Sequence, residues 1–555
     1  MSGAPARIWF GNGALLLALA ALGAWFASLH AGTWWSAPTP HRWQWAGLGV
    51  ASYAGLCTAI FLRRRTRTGA RHGRGSSLLI AWASQTGFAR ELAERSAAAF
   101  QLAGIGAHAL PLEAVSAEQL ARVPRLLCIV STTGEGDAPD HAQVAERDWL
   151  SDDGQDLAAV QYAVLALGDR RYAQFCAFGR RLDHRLQARG GVRLFERIEV
   201  DNADPLALKR WQHHLAALTP ALDAQPNWSL PTYAAWQLRD RCHVNPGSAG
   251  AAVHRLRLTP CEGPLPHWQA GDIAEIAPQN PPEQVEAWLQ QHRCDGARMI
   301  DGRPLRDWLS GARLPDDVDV DVDVDVDADA DADADADAAI FNADLDALVH
   351  NLVALPHREY SLASIPEEGH AELLIREHRQ ADGRPGVGSA WLCLHAPIGA
   401  HIALRVRSNP GFHPPVPEHP MLLIGNGTGI AGLRAHLVAR IAAGARNNWL
   451  IFGERNAAYD ALYTEELQQW RREGWIARLD LVYSRDQDAA PRYVQHVLTA
   501  AADTLRQWVD RGARLYLCGS LRGMAPDVDR ALDTILGTEL RQALVDSGRY
   551  RRDVY

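Results

Sequence analysis

The sequence predicts a multidomain chain: an N-terminal transmembrane helical hairpin, a doubly wound α/β domain, an antiparallel β-barrel and a second α/β domain at the C-terminus. Three observations carry that expectation. Two apolar stretches open the chain, at 8–30 and 43–62. Short apolar runs alternate with helical patterns from Leu78 to about Pro220 and again from Pro420 to Tyr555, the rhythm of parallel sheets covered by helices. Between these regions, AVHRLRLTP (252–260) and GDIAEIAP (271–278) are strand-like without intervening helices, as in antiparallel sheets.

Each N-terminal apolar stretch reaches the ~20 residues that a spanning helix needs. Trp34, Trp35, Trp43 and Trp45 cluster between the two stretches, where a membrane interface favours aromatic rings. A membrane anchor over 1–75 follows. Its basic flank RRRTRTGARHGR (63–74) and Arg7 imply a bacterial-type inner (plasma) membrane with the following domains cytoplasmic, by the positive-inside rule. A cleaved signal peptide in place of the first span is the alternative.

Composition sets further bounds. A chain of 555 residues exceeds a single core and suggests three or four units. The net charge of −9 is local, because 12 aspartates lie between Asp316 and Asp337, and without them the balance is +3. No nucleic-acid-binding surface follows from it. Eight cysteines from Cys57 to Cys518 stand without paired spacing, which excludes a disulfide framework and a CxxC metal site. No metal centre is expected.

The first α/β domain is placed at 76–222. Its strands are SLLIAW (77–82), RLLCIVST (125–132), YAVLALGD (162–169) and RLFERIEVD (193–201), with the helical pattern FARELAERSAAAF (88–100) after the first. Ligand loops belong at the carboxyl ends of such strands, and three polar loops fall there. Ser84, Gln85, Thr86 and Gly87 offer hydroxyls and free N–H groups that can wrap a monophosphate. Ser131, Thr132, Thr133 and Gly134 in STTGEGD, with Gly168, Asp169 and Tyr172 in LGDRRYAQFC, would line a flat ring, on which Tyr172 could stack.

Pro226 to Pro231 reads as a linker, and the barrel is placed at 230–415 with a short insert at 281–356. Helical patterns at 283–292 and 300–309 precede the Asp-Val/Asp-Ala tract. Carboxylates at every second residue repel one another, so the tract is expected to be a disordered acidic linker. Calcium binding is the alternative there, although EF-hand glycine spacing is absent. The last domain, 416–555, contains MLLIGNGTG (421–429), NNWLIFGER (447–455), RLDLVYSRD (478–486) and RLYLCGS (514–520).

The motifs in the second half combine. Arg358 supplies a fixed cation for a pyrophosphate, Tyr360 a ring face or hydroxyl, and Ser361 a small hydrogen-bonding group. Gly386, Val387, Gly388 and Ser389 (GVGS) follow, and Gly427, Thr428 and Gly429 form a glycine turn after an apolar strand, which suits a dinucleotide.

The three loops of the first α/β domain resemble those of flavodoxin-like FMN domains. The order REYS, GVGS, GNGTGIAGLR, YLCGS resembles the ferredoxin-NADP reductase family, and the whole stretch from Leu78 resembles diflavin reductases, nearest to the flavoprotein subunit of sulfite reductase and of the NADPH-haemoprotein reductase type. The resemblance implies a flavodoxin-like α/β domain with FMN, an antiparallel β-barrel FAD domain and a C-terminal α/β NADP-binding domain. It further implies that Ser484, Arg485, Tyr493 and Gln495 recognise the 2′-phosphate of NADPH. Cys518 would lie beside the nicotinamide, and Asp553 and Tyr555, in the terminal RRDVY, would stabilise charge and cover the flavin. Ser361, Cys518, Asp553 and Tyr555 are thus the expected catalytic residues.

The chain departs from the pattern at Phe88, Thr133, Asn426 and Gly432, and its insert is short. The expected function is a membrane-anchored reductase passing electrons from NADPH to FAD to FMN to a one-electron acceptor: a haem protein, a ferric chelate or a membrane redox partner. The alternatives are a tethered sulfite reductase flavoprotein subunit and an electron-transfer component of a membrane complex with no substrate of its own.

Overall fold

Six parallel strands build the first sheet: β1 (Leu78–Ala83), β2 (Ala107–Pro111), β3 (Arg125–Ser131), β4 (Gln161–Gly168), β5 (Val192–Arg193) and β6 (Ile198–Asp201). The order is β2-β1-β3-β4-β5, with β6 also paired to β4. Because both faces are covered, successive side chains of one strand enter two different cores. Leu78 and Ile80 pack with the helices Phe88–Leu102 and Pro205–Leu218, whereas Leu79, Ala81 and Ala83 share a core with Phe178 and Leu182 of the helix Ala177–Ala188. The chain reverses its winding between β1 and β3, so Ala83 and Ser131 end at the switch point, where doubly wound sheets open a crevice.

The computed structural model describes residues 78–134, 136–150, 156–170, 172–218, 232–315, 345–379, 383–486 and 491–555. The interdomain linker and the Asp-rich tract lie outside them. The expected transmembrane hairpin requires correction. No helix among the described residues is long and apolar enough to cross a membrane, and the stretches at 8–30 and 43–62 lie outside the described residues. The longest described helix, Phe88–Leu102, has 15 residues and carries charged side chains on its outer face, short of the ~20 apolar residues a span needs. The membrane anchor and the inner-membrane location are therefore withdrawn.

The middle sheet is antiparallel throughout. It comprises β7 (Ala234–His243), β8 (Val253–Pro260), β9 (Ile273–Ala277), β12 (Arg358–Ser361), β13 (Ala371–Arg376) and β14 (His401–Arg407) in the order β12-β9-β14-β7-β8-β13. Its edge strands are consecutive in the chain, and the Ala363 amide donates to the Glu372 carbonyl (2.8 Å), drawing the two edges together. The insert holds the helices Pro282–Gln291 and Leu305–Ser310 around a minimal hairpin of β10 (Met299–Ile300) and β11 (Arg303–Pro304). Positive φ at both Asp301 and Gly302 is what a two-residue Asp-Gly turn demands. The helical pattern expected at 300–309 therefore begins only at Leu305.

Five parallel strands complete the fold: β15 (Met421–Asn426), β16 (Asn448–Glu454), β17 (Arg478–Tyr483), β18 (Arg514–Gly519) and β19 (Tyr550–Val554), ordered β17-β16-β15-β18-β19. The chain's last residues thus form an edge strand, with Asp553 in register beside Cys518. The second switch point lies between β15 and β18. The chain from Ser76 to Tyr555 forms one compact unit.

Candidate functional site

Each expected loop sits at a strand end. Ser84 to Gly87 follow β1, and the Ser84 hydroxyl accepts from the Ala89 amide (3.2 Å). Gly87 caps the next helix at φ +89°, and a Cβ there would lie 2.6 Å from the Ser408 carbonyl oxygen. Only glycine combines that backbone conformation with so close an approach. After β3, the Ser131 hydroxyl donates to the Ala83 carbonyl (3.2 Å), and Thr133 turns its hydroxyl onto the Asp137 and Ala138 carbonyls (3.3 and 3.2 Å). Thr133 thus ties its own loop rather than offering a ring to stack. Gly168 ends β4, with Asp169 and Tyr172 just beyond it, and the Tyr172 ring lies 5.2 Å from the guanidinium of Arg522.

The barrel supplies Arg358, Tyr360 and Ser361 on β12. Arg358 donates to the carbonyls of Pro356 and His357 (3.0 and 2.9 Å). Gly386 precedes a short helix containing Val387, Gly388 and Ser389, and the Ser389 hydroxyl accepts from the His378 amide (3.0 Å). A Cβ on Gly388 would meet Arg358 Cγ at 2.5 Å and the Tyr360 hydroxyl at 3.0 Å, so the two motifs pack directly on one another.

Three elements bring the expected catalytic residues together. The Ser361 hydroxyl of β12 donates to Asp553 Oδ2 of β19 (2.9 Å), and the Cys518 thiol at the end of β18 reaches the same oxygen (3.8 Å). Asp553 and Cys518 are buried, at 7% and 0% exposure. Burial pushes the Asp553 carboxyl above its ordinary value, against the hydrogen bond from Ser361. Burial, followed by the charge of Asp553, raises the Cys518 thiol well above its own, so it remains a neutral thiol. Tyr555 is half exposed, and its hydroxyl lies 3.3 Å from that of Thr428. Gly427, Thr428 and Gly429 form one tight turn after β15. Asn426, a departure from the family pattern, braces that turn, because its Oδ1 accepts from the Ser520 amide (2.9 Å).

The residues expected at a 2′-phosphate lie apart from this group. Ser484 and the exposed Arg485 follow β17, Tyr493 caps the helix Val494–Ala500, and the Gln495 amide donates to Asp527 (3.0 Å).

One cavity of about 880 Å³ joins the two halves. Its walls include Thr132 and Tyr172 of the first α/β region, Tyr360 and Ser361 of the barrel, and Asp553 and Tyr555 of the last strand. Two polar atoms on that wall are buried without a hydrogen-bond partner: the Thr132 hydroxyl and Nη1 of Arg376. Orphaned buried donors are rare because each forfeits its hydration. These two are placed to meet ligand oxygens, which fits phosphate-bearing flavins.

Sequence reading missed several residues of this site. Arg376, whose Nη2 donates to Glu454 (2.6 Å), closes the strand AELLIR, where Glu372 already breaks the apolar run, so nothing in the sequence singles the arginine out. Glu275, Arg405 and Arg407 were no more legible, because only folding assembles them. Arg405 grips the fully buried Glu275 with two bonds of 2.8 Å and reaches Glu91, while Arg407 forms ion pairs with Glu275 and Glu359 and donates to the Thr86 carbonyl. Phe88, a further departure, sits edge-on to His357 (5.7 Å) and beneath Arg407. It serves the seam between the first sheet and the barrel.

A second seam joins the loop after β1 to the C-terminal strand. Arg552 forms an ion pair with Asp140, which follows the STTGEGD loop, and with Asp529 (3.1 Å). The Gln85 amide donates both to Asp140 Oδ2 (3.1 Å) and to the Arg552 carbonyl (2.7 Å). Truncating one partner of a largely buried charge pair loosens an interface and leaves the other charge stranded. Asp140→Asn is expected to slow electron passage between the two flavins several-fold while leaving hydride uptake from NADPH unchanged, read as separate phases of flavin bleaching in stopped flow.

Comparisons with known proteins agree with this layout. The flavodoxin family profile matches residues 80–211, and the oxidoreductase NAD-binding domain profile matches residues 423–530. The chain is 30% identical over 546 residues to the sulfite reductase (NADPH) flavoprotein alpha-component of Neisseria meningitidis, spanning 86% of this chain and 89% of that protein. Proteins of the same name from Bacillus subtilis and Salmonella typhi are 27% and 28% identical, over 86% and 88% of this chain and 89% and 91% of their own.

Proposed function

Because the chain belongs to the diflavin reductase family that includes the sulfite reductase (NADPH) flavoprotein alpha-component, we propose that it carries electrons from NADPH through FAD and FMN to a one-electron acceptor. The protein is an oxidoreductase flavoprotein, and FMN, FAD and NADPH are its cofactors. The observation that carries the proposed order of transfer is the shared cavity, with the FMN loops on one wall and Arg358, Tyr360 and Ser361 on another.

When bound, FAD takes up electrons as a hydride pair and FMN releases them singly. The chain's own residues position and shield that exchange. Ser84 to Gly87 would hold the FMN phosphate, Thr132 and Tyr172 would flank its ring, and Arg358 and Arg376 would hold the pyrophosphate of FAD. Ser361 orients Asp553 through their 2.9 Å bond, and the ionised carboxylate stabilises the positive charge that a nicotinamide gains as its hydride leaves. Cys518 fills the wall beside it without titrating. Tyr555, tethered to Thr428 through its hydroxyl, would cover the flavin ring until nicotinamide displaces it. Arg485 pairs with the 2′-phosphate.

The acceptor is a haem protein or a ferric chelate. A second reading, transfer to the other component of a sulfite reductase, draws support from the names of relatives that align over 89% or more of their length. Release of flavins from the purified full-length chain tests the core of the proposal. Equal amounts of FAD and FMN, both bleached by NADPH under anaerobic conditions, are the expected result. FAD without FMN would mean that Phe88 and Thr133 have cost the first site its cofactor, and would overturn the relay.

A further inference from the structure

The helix Ala177–Ala188 begins directly after the ring loop at 168–176. It buries Phe178, Leu182 and Leu186 against the sheet and leaves Arg180, Arg181 and His184 exposed. These three line a shallow surface groove of about 320 Å³ with Arg185. The segment from 170 to 197 holds eight arginines and two acids, a local excess of positive charge on a chain whose net charge is −9. Glu199 and Glu146 pair with Arg180 and Arg181, and Asp183 takes up Arg193 and Arg197. The cations of this face still outnumber these carboxylates.

The basic face borders both ring loops. Arg181 Nη1 donates to the Gly136 carbonyl (2.8 Å) in the STTGEGD loop. Arg170 and Arg180 stand over the ring of Phe175 (5.2 and 5.9 Å), which itself lines the large cavity. A protein that takes electrons from the first α/β region must approach these loops, and charge on that approach sets encounter rate and orientation.

We propose that the arginine face of helix Ala177–Ala188 is the docking surface for the electron acceptor, and that the acceptor is a protein presenting an acidic patch around its redox centre. The inference rests on the relay proposed above and adds the chemistry of the partner.

Two haem proteins of opposite charge, reduced by the intact holoenzyme with NADPH, provide the test: the acidic soluble domain of cytochrome b5 and the basic cytochrome c. The cytochrome b5 rate should fall steeply with added salt, since exposed charges are screened beyond about 8 Å at physiological ionic strength. The double variant Arg180→Glu/His184→Glu should lower kcat/KM for cytochrome b5 roughly 10-fold, a modest share of the range that electrostatic steering spans, and should not lower it for cytochrome c. Arg180→Lys, which keeps the charge, should retain the wild-type rate and guards against a folding defect. An unchanged cytochrome b5 rate in the double variant, or equal losses with both haem proteins, overturns the proposal. NADPH-dependent ferricyanide reduction separates the two levels of inference. If that small acceptor is reduced normally while the charge dependence is absent, the docking face is wrong; if its reduction is also absent in the wild type, the relay itself is wrong.

Discussion

Asp553→Asn is expected to lower the rate of hydride transfer from NADPH about 100-fold, the scale seen when one preorganised electrostatic contact to a transition state is removed. The carboxylate is 7% exposed, receives the Ser361 hydroxyl at 2.9 Å and lies beside Cys518. Asparagine preserves its shape and can still accept from Ser361, so the change removes charge with little repacking. The pH dependence gives a second readout. Burial raises this carboxyl above the ordinary aspartate value, so the stabilising negative form is present at high pH and is lost as pH falls through that raised pKa. The wild type should therefore lose hydride transfer on the acid side at a higher pH than a solvated aspartate would dictate, and Asp553→Asn should flatten that limb. Stopped-flow bleaching of the enzyme-bound flavin by NADPH measures both effects. A variant that keeps the acid limb would assign it to another group and remove Asp553 from charge stabilisation.

Arg485→Ala should raise the KM for NADPH by roughly 10- to 100-fold, the equivalent of one hydrogen bond between charged groups at about 1.5–3 kcal/mol. The KM for NADH should change little, because a plain ribose offers no charge to meet. Arg485 is exposed in the turn after β17, close in sequence to the half-exposed Tyr493, so its loss should leave the core untouched and kcat near the wild-type value. Equal effects on the two nucleotides would move 2′-phosphate recognition elsewhere. Gln495, already donating to Asp527, is less suited to that task on its own.

The parallel strands were legible because burial on both faces writes them as unbroken apolar runs: LLIAWA, RLLCIVS and MLLIGN lie where the pattern placed them. The strands that escaped notice lack that signature. Ala107–Pro111 carries one fully buried residue, Ala107, and alternates little thereafter, while β14 (HIALRVR) interrupts its apolar residues with the arginines that later grip Glu275. The terminal RRDVY gave no sign of being a strand, since three of its residues are charged. Only pairing with β18 makes it one. The N-terminal hairpin shows the converse limit: apolar length suggests a span, and the described helices supply none.

The sequence by itself determined the order of the three sheets, the loops at their carboxyl ends and the family, because strand burial, turn chemistry and the spacing of glycine turns are local properties of the chain. Tertiary structure alone decided which loops face one another. Ser361, Cys518 and Asp553 lie up to 192 positions apart and meet only because β19 docks in register beside β18 at the second switch point. The same holds for Phe88, Arg407 and the Asp140–Arg552 pair, whose partners come from different sheets. Charge pairing and close packing act between surfaces, and the chain brings those surfaces together only by folding.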